Sequence, residues 1–206
     1  MQFQHLTTLL TFAGAALALP TATTPSKALG KREATQVLLD IMPKSSSCDG
    51  RGDECRTATQ AASHLVQAMT KYNTTAPMEQ AGILSLIAYE SLEMQYKKNL
   101  NNAAAGQGTS NMQMGNYNVQ YANSIPELAA KSPTESTVLD LVTADEYNFG
   151  TGPWFYATQC ETAHAATSGK PDDWFQAYMS CVGVSTGSQP ERLTYWNSAK
   201  TAFSLA

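Results

Sequence analysis

The sequence predicts a mostly α-helical domain in which an irregular polar insert follows a central apolar helix, and three observations lead there. Apolar residues recur in several windows at the three-and-four spacing of a helix face. Ser or Thr followed three residues later by Glu or Gln, the signature of a helix start, recurs ahead of these windows. No window sustains the strict alternation of a half-buried strand, and no internal repeat is visible.

Taken in order, Thr57-Ala58-Thr59-Gln60 reads as a capping box, and Ala61, Leu65, Ala68, Met69 and Tyr72 form the apolar stripe of the helix it opens. Asn73-Thr74-Thr75 ends that helix. A second helix begins at Pro77, which has no N–H to lose at a first helical position, and runs to about Tyr96. Ile83, Leu84, Ile87 and Ala88 leave it apolar nearly all round before Glu90, which puts it at the centre of the fold. Between Lys97 and Asn116, Gly106, Gly108 and Gly115 stand among Asn, Gln, Ser and Thr, as in a loop or a small irregular β-hairpin. Binding clefts form in such segments because a rigid scaffold holds them while their sequence is free to vary. Ser132-Pro133-Thr134-Glu135 opens a helix through Leu139 and Val142, and Trp174 to Val182 forms another with Gly183 as its stop. Ser188-Gln189-Pro190-Glu191 opens a last helix carrying Leu193, Trp196, Ala199 and Phe203. About six helices result.

The chain has 206 residues, 43% of them hydrophobic and 15% charged, with a mean hydropathy of -0.27. That is one domain's worth of chain with too many apolar residues for disorder. The charged share lies well below the roughly 25% of ordinary soluble domains, a composition typical of secreted proteins. Leu6 to Leu17 is an apolar run of signal-peptide length ending in Ala16-Leu17-Ala18, so residues 1–18 read as a signal peptide. The run is too short to span a bilayer. Residues 19–32 read as a propeptide ending at the dibasic pair Lys31-Arg32, which leaves 33–206 as a single domain, expected to be an extracellular monomer. Removing 1–32 takes Lys27, Lys31 and Arg32 and no acid from 13 basic and 17 acidic side chains, leaving 10 against 17 and a net charge of −7. An acidic chain without a basic cluster has no electrostatic footprint for nucleic acid, and it is not drawn to anionic membranes.

All four cysteines, Cys48, Cys55, Cys160 and Cys181, lie after the leader. An even number in an oxidising compartment predicts two disulfides, and local closure favours Cys48 with Cys55 and Cys160 with Cys181 among the three possible pairings. Zinc-type spacing with partner His is absent, so no metal and no cofactor is expected. Asn73-Thr74-Thr75 is also an N-glycosylation acceptor.

Chemistry concentrates in Ile87-Ala88-Tyr89-Glu90-Ser91 and in Gly106-Gln107-Gly108-Thr109-Ser110-Asn111-Met112-Gln113-Met114. A carboxylic acid at the end of an apolar helix is poorly solvated, the setting in which burial disfavours the charged form and suits a general acid. The amides and hydroxyls that follow are neutral donors and acceptors of the kind that match sugar hydroxyls. The competing reading of Glu90 is a helix-surface carboxylate paired with Lys97 or Lys98, and that of Gln113 is a buried amide serving the loop backbone. Ser91 and Ser110 lack the G-x-S-x-G setting of a hydrolase nucleophile.

The order E-S, a Gly/Ser loop and M-Q resembles the lysozyme-like superfamily, in particular lytic transglycosylases and related muramidases. That resemblance, over about 25 residues of moderately specific motif, implies a lysozyme-like helical domain with Glu90 as catalytic acid. It implies Gln113 as a substrate-binding residue, with Tyr117 and Tyr121 as cleft aromatics whose competing reading is core or rim packing. Beside them the amides of Gln107 and Asn111 are expected to position the sugar. The chain departs from the family in having Met114-Gly115-Asn116 where lytic transglycosylases carry an I-M-P-type segment, and in its acidic charge. It also resembles a group of secreted fungal proteins in Cys48 to Cys55 with Glu54, in Gly106 to Gln113, in Gly152-Pro153-Trp154-Phe155 and in Arg192-Leu193-Thr194-Tyr195-Trp196. The activity implied is cleavage of a β-1,4-linked amino-sugar polymer, peptidoglycan before chitin or chitosan. The rival expectation is a non-catalytic glycan-binding or effector protein on the same fold.

Overall fold

The computed structural model describes residues 31–100, 104–165, 169–184 and 190–205, and among these the protein is mostly helical with no sheet. The expected signal peptide and all of the expected propeptide before Lys31 lie outside the described residues, as does the Ser188-Gln189 start signal. The helices are α1 (Lys31–Ile41), α2 (Ala58–Lys71), α3 (Pro77–Glu90), α4 (Gly115–Asn123), α5 (Pro126–Ala129) and α6 (Val138–Val142), followed by α7 (Asp145–Asn148), α8 (Thr151–Gln159), α9 (Glu161–Ala165), α10 (Pro171–Cys181) and α11 (Pro190–Ala202). The dibasic pair Lys31-Arg32 forms the first residues of α1.

Helix α3 is the axis of the molecule because its sequence is apolar on every side. Met78 and the run from Ala81 to Ala88 are buried, and α1, α8, α10 and α11 lie around it. Its one buried acid, Glu79, caps the helix by accepting from Ala76 N (3.2 Å) and receives the Tyr156 hydroxyl (3.1 Å). Gly82 lets the ring of Trp174 lie directly on the helix backbone, where any Cβ would collide with it. Trp174 is joined by Tyr156, Tyr178, Phe175 and Trp196, with Phe175 and Trp196 stacked at 4.6 Å. Each such buried aromatic contributes about 2–3 kcal/mol from area removed from water.

Three helix ends show how local sequence sets the breaks. After α2, α3 and α10 the chain turns through a left-handed residue, Asn73 (φ 53°), Leu92 (φ 51°) and Gly183 (φ 76°). In each the next N–H reaches back to close the helix, as in Glu93 N to Ala88 O (2.7 Å), the six-to-one bond of a Schellman end. The expected extension of the central helix to Tyr96 is therefore corrected: α3 stops at Glu90, and Leu92, Glu93 and Met94 are all left-handed. The physical reason is Ser91, whose hydroxyl donates to Ile87 O (2.6 Å) and accepts from Met94 N (2.8 Å), tying off the helix. The expected helix start at Ser132-Pro133 is also corrected, because Ser132 is left-handed and α6 begins only at Val138.

The two disulfides join Cys48 to Cys55 and Cys160 to Cys181, the local pairing that spacing favoured. The first closes a loop clipped to the body by Asp53, which pairs with Arg56 (3.0 Å) and Lys97 (3.1 Å). The second ties the residue after α8 to the last residue of α10. Of the two expectations for the Gly-rich insert its described residues follow the loop, with isolated bridges of Lys98 with Gly108 and Gly108 with Gln113.

Candidate functional site

Glu90 is the last residue of α3, and the Schellman turn after it frees its side chain from the helix barrel. The carboxylate is 23% exposed and is not left alone. Arg192, from α11, donates to Glu90 Oε1 at 2.5 Å while its guanidinium lies over the Tyr89 ring at 4.0 Å. Neither Lys97 nor Lys98 takes the carboxylate, since Lys97 is buried against Asp53. Behind the pair stands Tyr178, whose buried hydroxyl has no hydrogen-bond partner among the described residues and whose phenol burial holds well above its ordinary value.

Opposite Glu90 the insert is held by a chain of amides rather than by strands. Asn111 Oδ1 accepts from Thr109 (3.0 Å) and Thr151 (2.8 Å), and its Nδ2 donates to Gln113 Oε1 (3.2 Å). Gln113 Nε2 donates to Asn118 Oδ1 (2.7 Å), and Asn118 Nδ2 donates to Gly106 O (2.8 Å). Every member is buried, and a satisfied buried network of this kind fixes one conformation because any loosened link leaves a desolvated polar group. Gly106 (φ 72°) is required where the insert turns against Glu135 O and Gly115 Cα, which leave no room for a Cβ.

Two cavities meet at Glu90. One, of about 210 Å³, has Glu90 and Gln107 beside Asn111 and Gln113, walled by Leu86, Met112, Met114, Tyr117, Phe155 and Val182. The other, of about 330 Å³, shares Glu90, Gln107 and Met112 and extends along Leu92, Tyr96, Lys98, Asn99 and Leu100. Together they form a groove with the carboxylate at its middle, and Glu90 is the only carboxylate among the described residues that line it.

Of the expected site residues, Glu90, Gln107, Asn111, Gln113 and Tyr117 come together on this groove. Asn111 and Gln113 turn most of their hydrogen-bonding capacity inward, so they shape its floor as much as they face it. Tyr117 stands edge-on to Phe155 at 4.9 Å. Tyr121 is corrected: it is 1% exposed, lines neither cavity and donates its hydroxyl to Tyr147 O (2.9 Å) under Trp154. Glu93, one turn beyond Glu90 in sequence, is turned away and satisfied by Lys44 N (2.7 Å) and Tyr195 OH (2.8 Å). Sequence reasoning missed Arg192 as a partner of Glu90, because 102 positions separate them, although it sits in the Arg192-to-Trp196 motif. Asn73 is exposed at its left-handed helix end, accessible as a glycosylation acceptor. Among the described residues no three His, Cys, Asp or Glu side chains gather as a metal site would require, and no helix is long and apolar enough to cross a membrane.

No family model matches the chain. It is similar, at 46% identity over 160 residues, to a protein from Fusarium oxysporum (strain Fo5176) described as a bifunctional dioxygenase (DOX)-epoxy alcohol synthase (EAS). The match covers 71% of this chain and 12% of that protein, so the chain spans about an eighth of the relative's length.

Proposed function

We propose that the protein is a secreted, monomeric glycosidase of lysozyme-like type that cleaves a β-1,4-linked amino-sugar polymer, peptidoglycan before chitin or chitosan, with Glu90 as its acid. The observation that carries this is Glu90 as the only described carboxylate on a groove otherwise lined by amides, aromatics and apolar side chains. Such a lining suits sugars, whose hydroxyls take the amides and whose ring faces take the aromatics. In this reading substrate entry parts Glu90 from Arg192, and Glu90 takes up a proton from solvent and gives it to the glycosidic oxygen as the C1–O bond breaks. Glu90 then takes a proton from the oxygen that attacks C1, either water or the sugar's own 6-hydroxyl, which closes an anhydro ring. A single carboxylate serves both steps, whereas a second acid at a fixed distance is what two-carboxylate glycosidases need.

The test is release of soluble fragments from purified peptidoglycan and from chitosan by the mature protein, beside Glu90→Gln. The substitution is expected to reduce cleavage on the order of 10²–10⁴-fold. Products lighter by one water mark the anhydro route, and cleavage that survives Glu90→Gln sinks the assignment.

A second reading has its own observation. The Glu90–Arg192 pair engages the carboxylate as a structural ion pair does, and this favours a glycan-binding module without turnover. The match to an eighth of a much longer protein fits a module carried alone or joined to others; the dioxygenase and epoxy alcohol synthase activities are those of that relative. Binding of glycan without fragments, unchanged in Glu90→Gln, selects this reading.

A further inference from the structure

Several cations of this acidic chain have acid partners. Lys44 faces Glu93, Arg56 holds Asp145 and Asp53, Lys97 holds Asp53, and Arg192 holds Glu90. Lys98 breaks the pattern. It lines the 330 Å³ cavity, half-buried and bridged through its backbone to Gly108, and no carboxylate among the described residues pairs with it. A second cation that no carboxylate among the described residues pairs with stands behind that wall: the Arg51 guanidinium lies 4.7 Å from the ring centroid of Tyr96, which lines the cavity, and donates to the Tyr96 hydroxyl.

We propose that this end of the groove is a subsite for a carboxylate-bearing sugar unit, with Lys98, supported by Arg51, selecting an acidic glycan over a neutral or cationic one. The inference rests on the reading of the Glu90 groove as a glycan site and names which glycan it takes. The backbone bridge fixes where the Lys98 stem leaves the chain, its ammonium reaches out on a flexible four-carbon stem, and a charge-assisted hydrogen bond to a carboxylate is about twice as strong as a neutral one. Tyr96, with Arg51 over its ring, lines the cavity beside Asn99 and Gln107, which are joined by Asn99 Nδ2 donating to Gln107 Oε1 at 3.2 Å, so the wall next to Lys98 is aromatic and amide in character. The same two cations repel a deacetylated, ammonium-bearing polymer, so the pair discriminates by attraction and by repulsion together.

The experiment compares a peptidoglycan fragment with free carboxylates and a chitin oligosaccharide of equal sugar length, using the whole protein. Calorimetric binding and cleavage are measured for wild type, Lys98→Gln, Lys98→Arg and Arg51→Gln. Lys98→Gln is expected to lower the ratio of acidic-to-neutral affinity roughly tenfold, Lys98→Arg to restore it and Arg51→Gln to lower it less. In wild type, added salt is expected to weaken the acidic ligand more than the neutral one, and this needs no variant. An affinity ratio that Lys98→Gln leaves unchanged, or an equal salt response for both ligands, overturns the subsite. If wild type cleaves neither glycan yet binds the acidic one through Lys98, the glycosidase reading falls and the subsite stands. Cleavage that depends on Glu90 but ignores Lys98 does the reverse: the glycosidase reading stands and the subsite falls.

Discussion

Leu92 holds a backbone position that favours glycine. It is the left-handed residue of the Schellman turn after Glu90, at φ 51°, and its side chain is 54% exposed, so little burial offsets the strain. A left-handed L-residue costs roughly 1–2 kcal/mol. Leu92→Gly is therefore expected to stabilise the protein by about 0.5–1 kcal/mol after glycine's larger unfolded-state entropy is deducted, about 1–4 °C in Tm by thermal unfolding. A melting temperature that falls instead means that the leucine contributes packing at the groove that outweighs its backbone strain. At this scale the sequence was informative about identity and silent about partners. That Glu90, Gln107, Asn111 and Gln113 would share one groove could be anticipated because an acid at an apolar helix end and a run of amides carry their chemistry in their own side chains, whereas Tyr117 was anticipated only through the resemblance. For Tyr121 the cleft role implied by the resemblance gives way to the competing core reading, because the same residue type serves a wall or a core and only its burial and its bond to the Tyr147 carbonyl decide which.

Among the elements, α3 depends on Gly82 more than its helix propensity suggests. Alanine at an interior helix position ordinarily gains about 1 kcal/mol over glycine. Here the added methyl would enter the ring of Trp174, which is itself 0% exposed and backed by Trp196 at 5.9 Å. Overpacking of that kind costs about 1–3 kcal/mol or more, so Gly82→Ala is expected to lower the denaturant midpoint despite its better propensity. A midpoint that rises would show that α10 can shift away from α3. Helices with strong local signals were legible: the Thr57–Gln60 capping box is present, with Gln60 N to Thr57 Oγ1 at 3.3 Å and Thr57 N to Gln60 Oε1 at 2.8 Å, and α10 ends at Gly183. Helices α4 and α8 were not, since Gly115 stands among the glycines of the polar insert and no capping signature precedes Thr151. Pro153 is tolerated because it is the third residue of α8, where its missing N–H would have had no helical acceptor.

The whole molecule carries a titration signature in its buried tyrosines. Burial pushes Tyr121, Tyr156, Tyr178 and Tyr195 well above the ordinary phenol value, and Glu79 and Glu93 add to it at Tyr156 and Tyr195. A folded-state value raised above the unfolded value of about 10 contributes stability that is complete below that pH and is lost as pH climbs beyond it. The protein is expected to hold full stability at neutral and mildly alkaline pH and to unfold cooperatively above about pH 10, with these four phenols ionising only in that transition. Tyrosinate absorbance followed beside circular dichroism checks this, and smooth ionisation of all nine tyrosines before any loss of helix would refute it. The helical class, the central place of α3, the two local disulfides and the residues of one wall of the groove were all legible in the chain alone. These follow from periodicity, caps and short-range closure, which act between neighbours in the chain. What faces them came from tertiary packing. Arg192 meets Glu90, Tyr195 meets Glu93, and Trp196 donates to Asp172 at 2.7 Å, all from the single turn of α11 that runs from Arg192 to Trp196. Contacts across such separations depend on how whole helices dock, and docking is set by the summed shape of buried faces rather than by any local pattern.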